Sequence, residues 1–171
     1  MLLRKGFFCL LFASVFVSNA NSQAQAVSSS LGKVNLNFDL DKNGVPQYSI
    51  SFSGKQVIKP SHLGFRLKGG LSLDSNFQII KIDSSAADET WKPVWVEVSQ
   101  VRNHYKQTSF YLQQRTSSLL LNIIFKIFED GVGFRYEFPI QSNLSNFIVS
   151  DELTEFNLTE SKSPGYRKYQ T

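Results

Sequence analysis

Two histidines, two tryptophans and a scatter of carboxylates are the side chains of this sequence with the most chemistry to offer. His104 could serve as an acid or base on a sugar if a carboxylate such as Glu97 or Glu152 lay within hydrogen-bond reach. The stretch 88–105, DETWKPVWVEVSQVRNHY, gathers Trp91, Trp95, Glu97, Arg102, Asn103 and His104. Saccharides are held by stacking their C–H faces on aromatic rings while planar polar groups take the hydroxyls, and this composition suits that task. Burial of both tryptophans in a core or at a domain interface is the plainer reading of the same residues. His62 has no partner at metal-ligand spacing and reads as a packed or hydrogen-bonded residue.

A glycosidase needs two carboxylates flanking the scissile bond. Glu129, Asp130, Asp151, Glu152 and Glu155 fall at expected turns and strand ends, where acidic groups are ordinarily solvated, so they are assigned no catalytic role. The run Asp39-Leu40-Asp41-Lys42-Asn43-Gly44 opens like a calcium loop, but the loop's twelfth position, where a bidentate carboxylate is required, is Ile50. It reads as a hairpin turn, and no metal site is expected in this chain. Asn143 and Asn157 head glycosylation sequons, which matter only in a eukaryotic secretory route.

The elements that must position these groups are strands. Val34, Leu36, Phe38 and Leu40 alternate with polar residues, as do Tyr48, Ile50 and Phe52, and the turn residues Asn43-Gly44 lie between the two runs. Further strands are expected over 63–67, 77–82, 105–113, 119–128, 133–138 and 147–156. The stretch 119–125 is apolar on both faces, as in a central strand covered on both sides. No segment after the first thirty residues carries a capped helical stripe, which leaves an all-β, two-sheet sandwich.

Ahead of the strands, Arg4 and Lys5 precede an apolar run, GFFCLLFASVFV, over 6–17. That run is too short for a membrane span of about 20 residues but suits a signal peptide. Ser18-Asn19-Ala20 and Ala24-Gln25-Ala26 both offer cleavage sites. The expected layout is a signal over 1–26, a linker over 27–33, a domain over 34–158 and a tail over 159–171. Cys9, the only cysteine, would leave with the signal, so the exported chain should have neither a disulfide nor a thiolate metal site. Loss of Arg4 and Lys5 also lowers the formal net charge from +4 to +2. With no long basic run left, neither nucleic acid nor a membrane surface is an expected partner.

Several strings occur together in one order: YSISF (48–52), DETW (88–91), PVW (93–95), RNHY (102–105), EDGVGFRYEFP (129–139) and SDELTEF (150–156). In these the chain resembles the N-terminal domain of glycoside hydrolase family 97 over roughly 34–158. The resemblance implies a β-supersandwich of the galactose-mutarotase-like, carbohydrate-binding type, placed before a catalytic (β/α)₈ barrel in the parent enzyme. It further implies α-linked glucose or galactose saccharides as partners, export to the periplasm or outside the cell, and calcium in the complete enzymes. The catalytic carboxylates would belong to the barrel, so this chain is expected to hydrolyse nothing alone. A standalone mutarotase-like enzyme using His104, and a structural sandwich without sugar affinity, are the alternatives. The chain departs from the family pattern at Val96, where glycine is usual, and at Lys106, where asparagine is usual. The tail SKSPGYRKYQT (161–171) lacks the aromatic-rich lead into the barrel and reads as truncated. The family's calcium-binding glutamate matches no residue here.

Overall fold

A computed structural model describes residues 24–92 and 100–159, and within them every regular element is a strand. Four strands form the first sheet in sequential order: β1 (Gln25–Ser28), β2 (Val34–Leu40), β3 (Pro46–Phe52) and β4 (Lys55–His62). A small sheet contains β5 (Phe65–Leu67), with β6 (Ser72–Leu73) on one side and β11 (Val149–Glu152) on the other. The third sheet is built from β7 (Phe77–Trp91), β8 (Val101–Gln114), β9 (Leu120–Ile127) and β10 (Val132–Glu137), again neighbours in sequence order. All pairings are antiparallel. Among the described residues no helix is long and apolar enough to cross a membrane.

The alternation along β2 sends Val34, Leu36, Phe38 and Leu40 into the core and leaves Asn35, Asn37 and Asp39 at the surface. The two large sheets meet through aromatic rings. Phe38 of β2 stacks on Phe110 of β8 at 4.0 Å, and Tyr48 of β3 meets Phe125 of β9 and Phe134 of β10. β2 therefore lies over β8 and β3 over β9, which leaves β1 and β7 along one side of the sandwich. In β9, Leu121, Ile123, Phe125 and Ile127 join this core. Ile124 points the other way yet is only 4 % exposed, while Asn122 and Lys126 beside it are half-buried. The strand is interior to its sheet, as expected, but the second face is only partly covered.

Three expectations change. Residues 27–33 were expected as a linker, but 25–28 form β1 against Asn35–Phe38, and Ser29 is buried. The strands expected over 77–82 and 105–113 are much longer: β7 and β8 stay paired from Phe77↔Gln114 out to Trp91↔Val101. β9 stops pairing with β8 at Lys106↔Ile127, so residues 87–91 and 101–105 continue as a two-stranded ribbon beyond the sheet. The last expected strand, 147–156, is split. Only Val149–Glu152 is β11, and the chain then runs extended along β4, with Leu153, Glu155 and Thr159 amides donating to the carbonyls of Gly64, His62 and Val57.

Candidate functional site

The ribbon carries four of the six residues singled out from the sequence, and its register divides them between two faces. Directly opposed residues of an antiparallel pair project to the same side. Thr90↔Arg102 and Asp88↔His104 therefore share one face, and Trp91↔Val101, Glu89↔Asn103 and Ala87↔Tyr105 share the other. Trp91 and Asn103 thus stand back to back with Arg102 and His104, and the single surface expected of them is not formed. Trp91 is 53 % exposed, which removes the reading that its ring anchors a core. Trp95 and Glu97 lie outside the described residues.

The face bearing His104 is turned toward the first sheet. His104 Nε2 lies 3.2 Å from the Ser30 hydroxyl in the β1–β2 turn. Lys106 reaches the Ser29 carbonyl, and Glu129 accepts hydrogen bonds from the Ser29 hydroxyl and the Leu31 amide. Partial burial alone would push the Glu129 carboxyl up. The Leu31 amide, the Ser29 hydroxyl, the Ser30 amide and the charge of His104 outweigh it and hold the group below the usual carboxylate range. Asp88 is likewise held low, by the two-pronged contact of Arg102 at 2.8 and 2.7 Å. The two carboxylates on which His104 acts, Asp88 and Glu129, are thus both engaged elsewhere. Glu152, named above as a possible base, stands on β11 beside Phe65 in a different sheet, accepting a bond from Thr154. The arrangement ties the root of the ribbon to the β1–β2 turn.

A second constellation escaped the sequence. His62, Arg66, Asp41, Asp74, Glu152, Thr154 and Glu155 line an open cleft of about 640 Å³. His62 Nδ1 lies 3.1 Å from Glu155 Oε2, which also accepts the His62 amide. That amide is the largest of several contacts, including the His62 ring and Asn157, that lower the Glu155 carboxyl from its ordinary 4.5. Tyr136, hydrogen-bonded to Thr154, has its phenol pushed up to about 12 by burial. Glu155 and His62 are 93 positions apart, and only the DELTEF string hinted that this segment mattered. Among the described residues no group of three or more His, Cys, Asp or Glu could hold a metal ion.

A carboxyl lowered in the folded state stabilises the fold above its unfolded pKa and loses that contribution as the pH falls through its folded value. Thermal stability should therefore fall as the pH drops from 6 toward 3, and Glu155→Gln should flatten that limb while lowering stability modestly at pH 7. Melting temperature against pH for the two proteins checks this. Identical acid limbs would remove Glu155 from the account. The pair is exposed, so solvent screening keeps the expected change small.

Apolar surface collects around the last described segments. Ile140, Ile148, Phe156 and Leu158 are exposed, Phe147 packs on Phe138, and Phe156 leans on Phe134.

Sheet order, core and ribbon define an antiparallel β-sandwich domain with a projecting hairpin. By its match to the glycosyl-hydrolase 97 N-terminal model over residues 27–166, the chain belongs to that family. It is 32 % identical to a glycoside hydrolase family 97 enzyme from Pseudoalteromonas sp. strain K8, solved in complex with panose and with acarbose. The superpositions have TM-scores of 0.73 and 0.74 and cover 78 % of this chain but 20 % of that one. A β-arabinopyranosidase structure matches at 25 % identity and a TM-score of 0.73, over 81 % of this chain and 22 % of its own. A retaining alpha-galactosidase of Bacteroides thetaiotaomicron is 21 % identical over 113 residues, 63 % of this chain and 16 % of that protein. The chain thus spans about a fifth of the length of these relatives, and the resemblance read from the motifs holds.

Proposed function

We propose that this chain is the non-catalytic support module of an exported family 97 glycoside hydrolase, binding to its (β/α)₈ barrel and presenting the β7–β8 ribbon to α-linked glucose or galactose saccharides. The observation that carries the reading is the match along nearly the whole domain to proteins of which it spans a fifth. The exposed apolar side chains of Ile140, Ile148, Phe156 and Leu158 suit a domain that packs on a larger partner. The half-exposed Trp91, near the end of the ribbon, suits contact with a sugar or with the rim of a sugar pocket. Calcium, in this reading, serves the complete enzyme and not the residues described.

Release of nitrophenol from aryl α-glucosides and α-galactosides tests the non-catalytic part. The full chain should show no turnover above the buffer rate. Turnover abolished by His104→Ala would instead establish an active site in this chain.

Export follows from the leader, and the position of β1 favours one cut. Cleavage after Ala20 leaves β1 whole, whereas cleavage after Ala26 removes Gln25 and Ala26 and with them half of the β1–β2 register. N-terminal sequencing of the secreted chain should begin at Asn21. A start at Val27 would mean that β1 is not needed in the mature domain.

A further inference from the structure

β7 is a 15-residue strand whose inner side pairs with β8 throughout, and among the described residues nothing pairs with its outer side. An open strand edge is a template for another strand unless a bulge, a proline, charge or a covering element blunts it. The one irregularity of β7 lies between Ile79 and Lys81, and no proline follows, so the backbone is regular from there to Trp91. Ser84, Ser85 and Ala86 are exposed. An open groove of about 510 Å³, walled by Gln25–Ser28 of β1 and by Ile82 and Ser84–Ala86 of β7, gives access to this side of the sandwich. The exposed side chain of Ile82 projects to the inward face at the same place.

We propose that β7 is the seam of a homodimer, in which two copies of the chain pair antiparallel through this edge with Ser85 opposite Ser85. The charges select both the occupant and the register. Lys81, Asp83, Ser85, Ala87 and Glu89 project to one face, opposite Tyr111, Ser109, Gln107, Tyr105 and Asn103 of β8. With Ser85 on the two-fold axis, Lys81 of each copy faces Glu89 of the other, and Asp83 faces Ala87. Lys81 already holds Asp83 at 2.6 Å, so each end of the seam becomes a cluster of one cation between two carboxylates. Sliding the copies by one pleat one way sets Asp83 against Glu89. One pleat the other way leaves Lys81 against Ala87, and a second sets Asp83 against Asp83. All of these registers continue the outward faces of both copies as one sheet, so the charges choose among them. A two-fold axis makes such a contact isologous and closed, so it ends at a dimer.

A thiol at the axis tests the register. Directly opposed residues of an antiparallel pair have Cα atoms about 4.5–5.5 Å apart, within the span a disulfide bridges. In the full chain carrying Cys9→Ser, the added Ser85→Cys should give a covalent dimer on mild oxidation, while Ser145→Cys at an exposed loop should not. In sedimentation, Lys81→Glu should weaken self-association roughly tenfold through two reversed cross-strand pairs, and adding Glu89→Lys should restore it. The proposal is overturned by a wild-type chain that stays monomeric up to about 1 mM. Ser85→Cys cross-linking no faster than Ser145→Cys, or charge reversal without effect, overturns it equally.

Discussion

Replacing Phe110 by alanine should cost the domain about 3–5 kcal/mol of stability and lower its denaturation midpoint in proportion. Phe110 is fully buried, stacks on Phe38 at 4.0 Å and meets Phe125 edge-on at 6.0 Å, so it joins the two large sheets at their centre. Truncating a core phenylalanine costs about 3–5 kcal/mol, because transfer energy is lost and the cavity closes only in part. A domain of this size is stable by only about 5–15 kcal/mol, so the loss is a large share of the total. Phe110→Leu keeps most of the volume and should cost much less. Because Phe38 and Phe110 share one contact, the double alanine variant should cost less than the two singles together. Urea unfolding of the wild type, Phe110→Ala, Phe110→Leu, Phe38→Ala and the double alanine variant reads all of this. A Phe110→Ala loss below about 1 kcal/mol would mean that the sheets are not joined there.

Gly44→Ala is the second large effect, and its cause is backbone geometry. Gly44 has φ +71°, where side chains are disfavoured, and an added Cβ would stand 2.7 Å from both the amide nitrogen and the carbonyl oxygen of Phe77. No flexible side chain is there to yield. The same contact includes a hydrogen bond from the Phe77 amide to the Gly44 carbonyl and one from Asn76 to Asn43, which pin the β2–β3 turn to the start of β7. The left-handed conformation alone costs a residue with a Cβ about 1–2 kcal/mol. With the clash added, the expected loss is about 2–4 kcal/mol. Lys42→Ala, in the same turn but exposed, should change stability by less than about 0.5 kcal/mol. Equal midpoints for Gly44→Ala and wild type would show that the turn is not seated on β7 as described.

Where the chain has one wet face and one dry face, its structure could be read from its residues. Val34–Leu40 alternates because β2 is half-buried, and Asp41–Gly44 turns where its residues favour turning: Asp41 Oδ1 caps the amides of Asn43 and Val45. The ribbon was invisible to the same reasoning because neither of its faces is fully buried. With no dry side, residues 83–91 lack the periodicity that betrays a strand. β1 was hidden differently. Gln25–Ser28 is short, small and polar, and abuts a leader whose cleavage grammar uses the same residues. The candidate site was named in part and misjudged in arrangement. Trp91, Arg102, Asn103 and His104 do share one hairpin, but in a strand Asn103 must face away from Arg102 and His104, a parity that followed only once the segment was known to be extended. The His62–Glu155 cleft joins residues from opposite ends of the domain, and nothing local in either segment announces the other.

The central claim, a module that meets sugar through its ribbon without performing chemistry, is tested most directly by titrating the full chain with panose while following tryptophan fluorescence. Trp91 on the ribbon and Trp95 just beyond it are the only tryptophans, so the signal reports this part of the molecule alone. The account predicts a saturable change in the millimolar range, reduced by Trp91→Phe, with the trisaccharide recovered intact. A flat titration for the wild-type chain, or a change that Trp91→Phe leaves untouched, would contradict it.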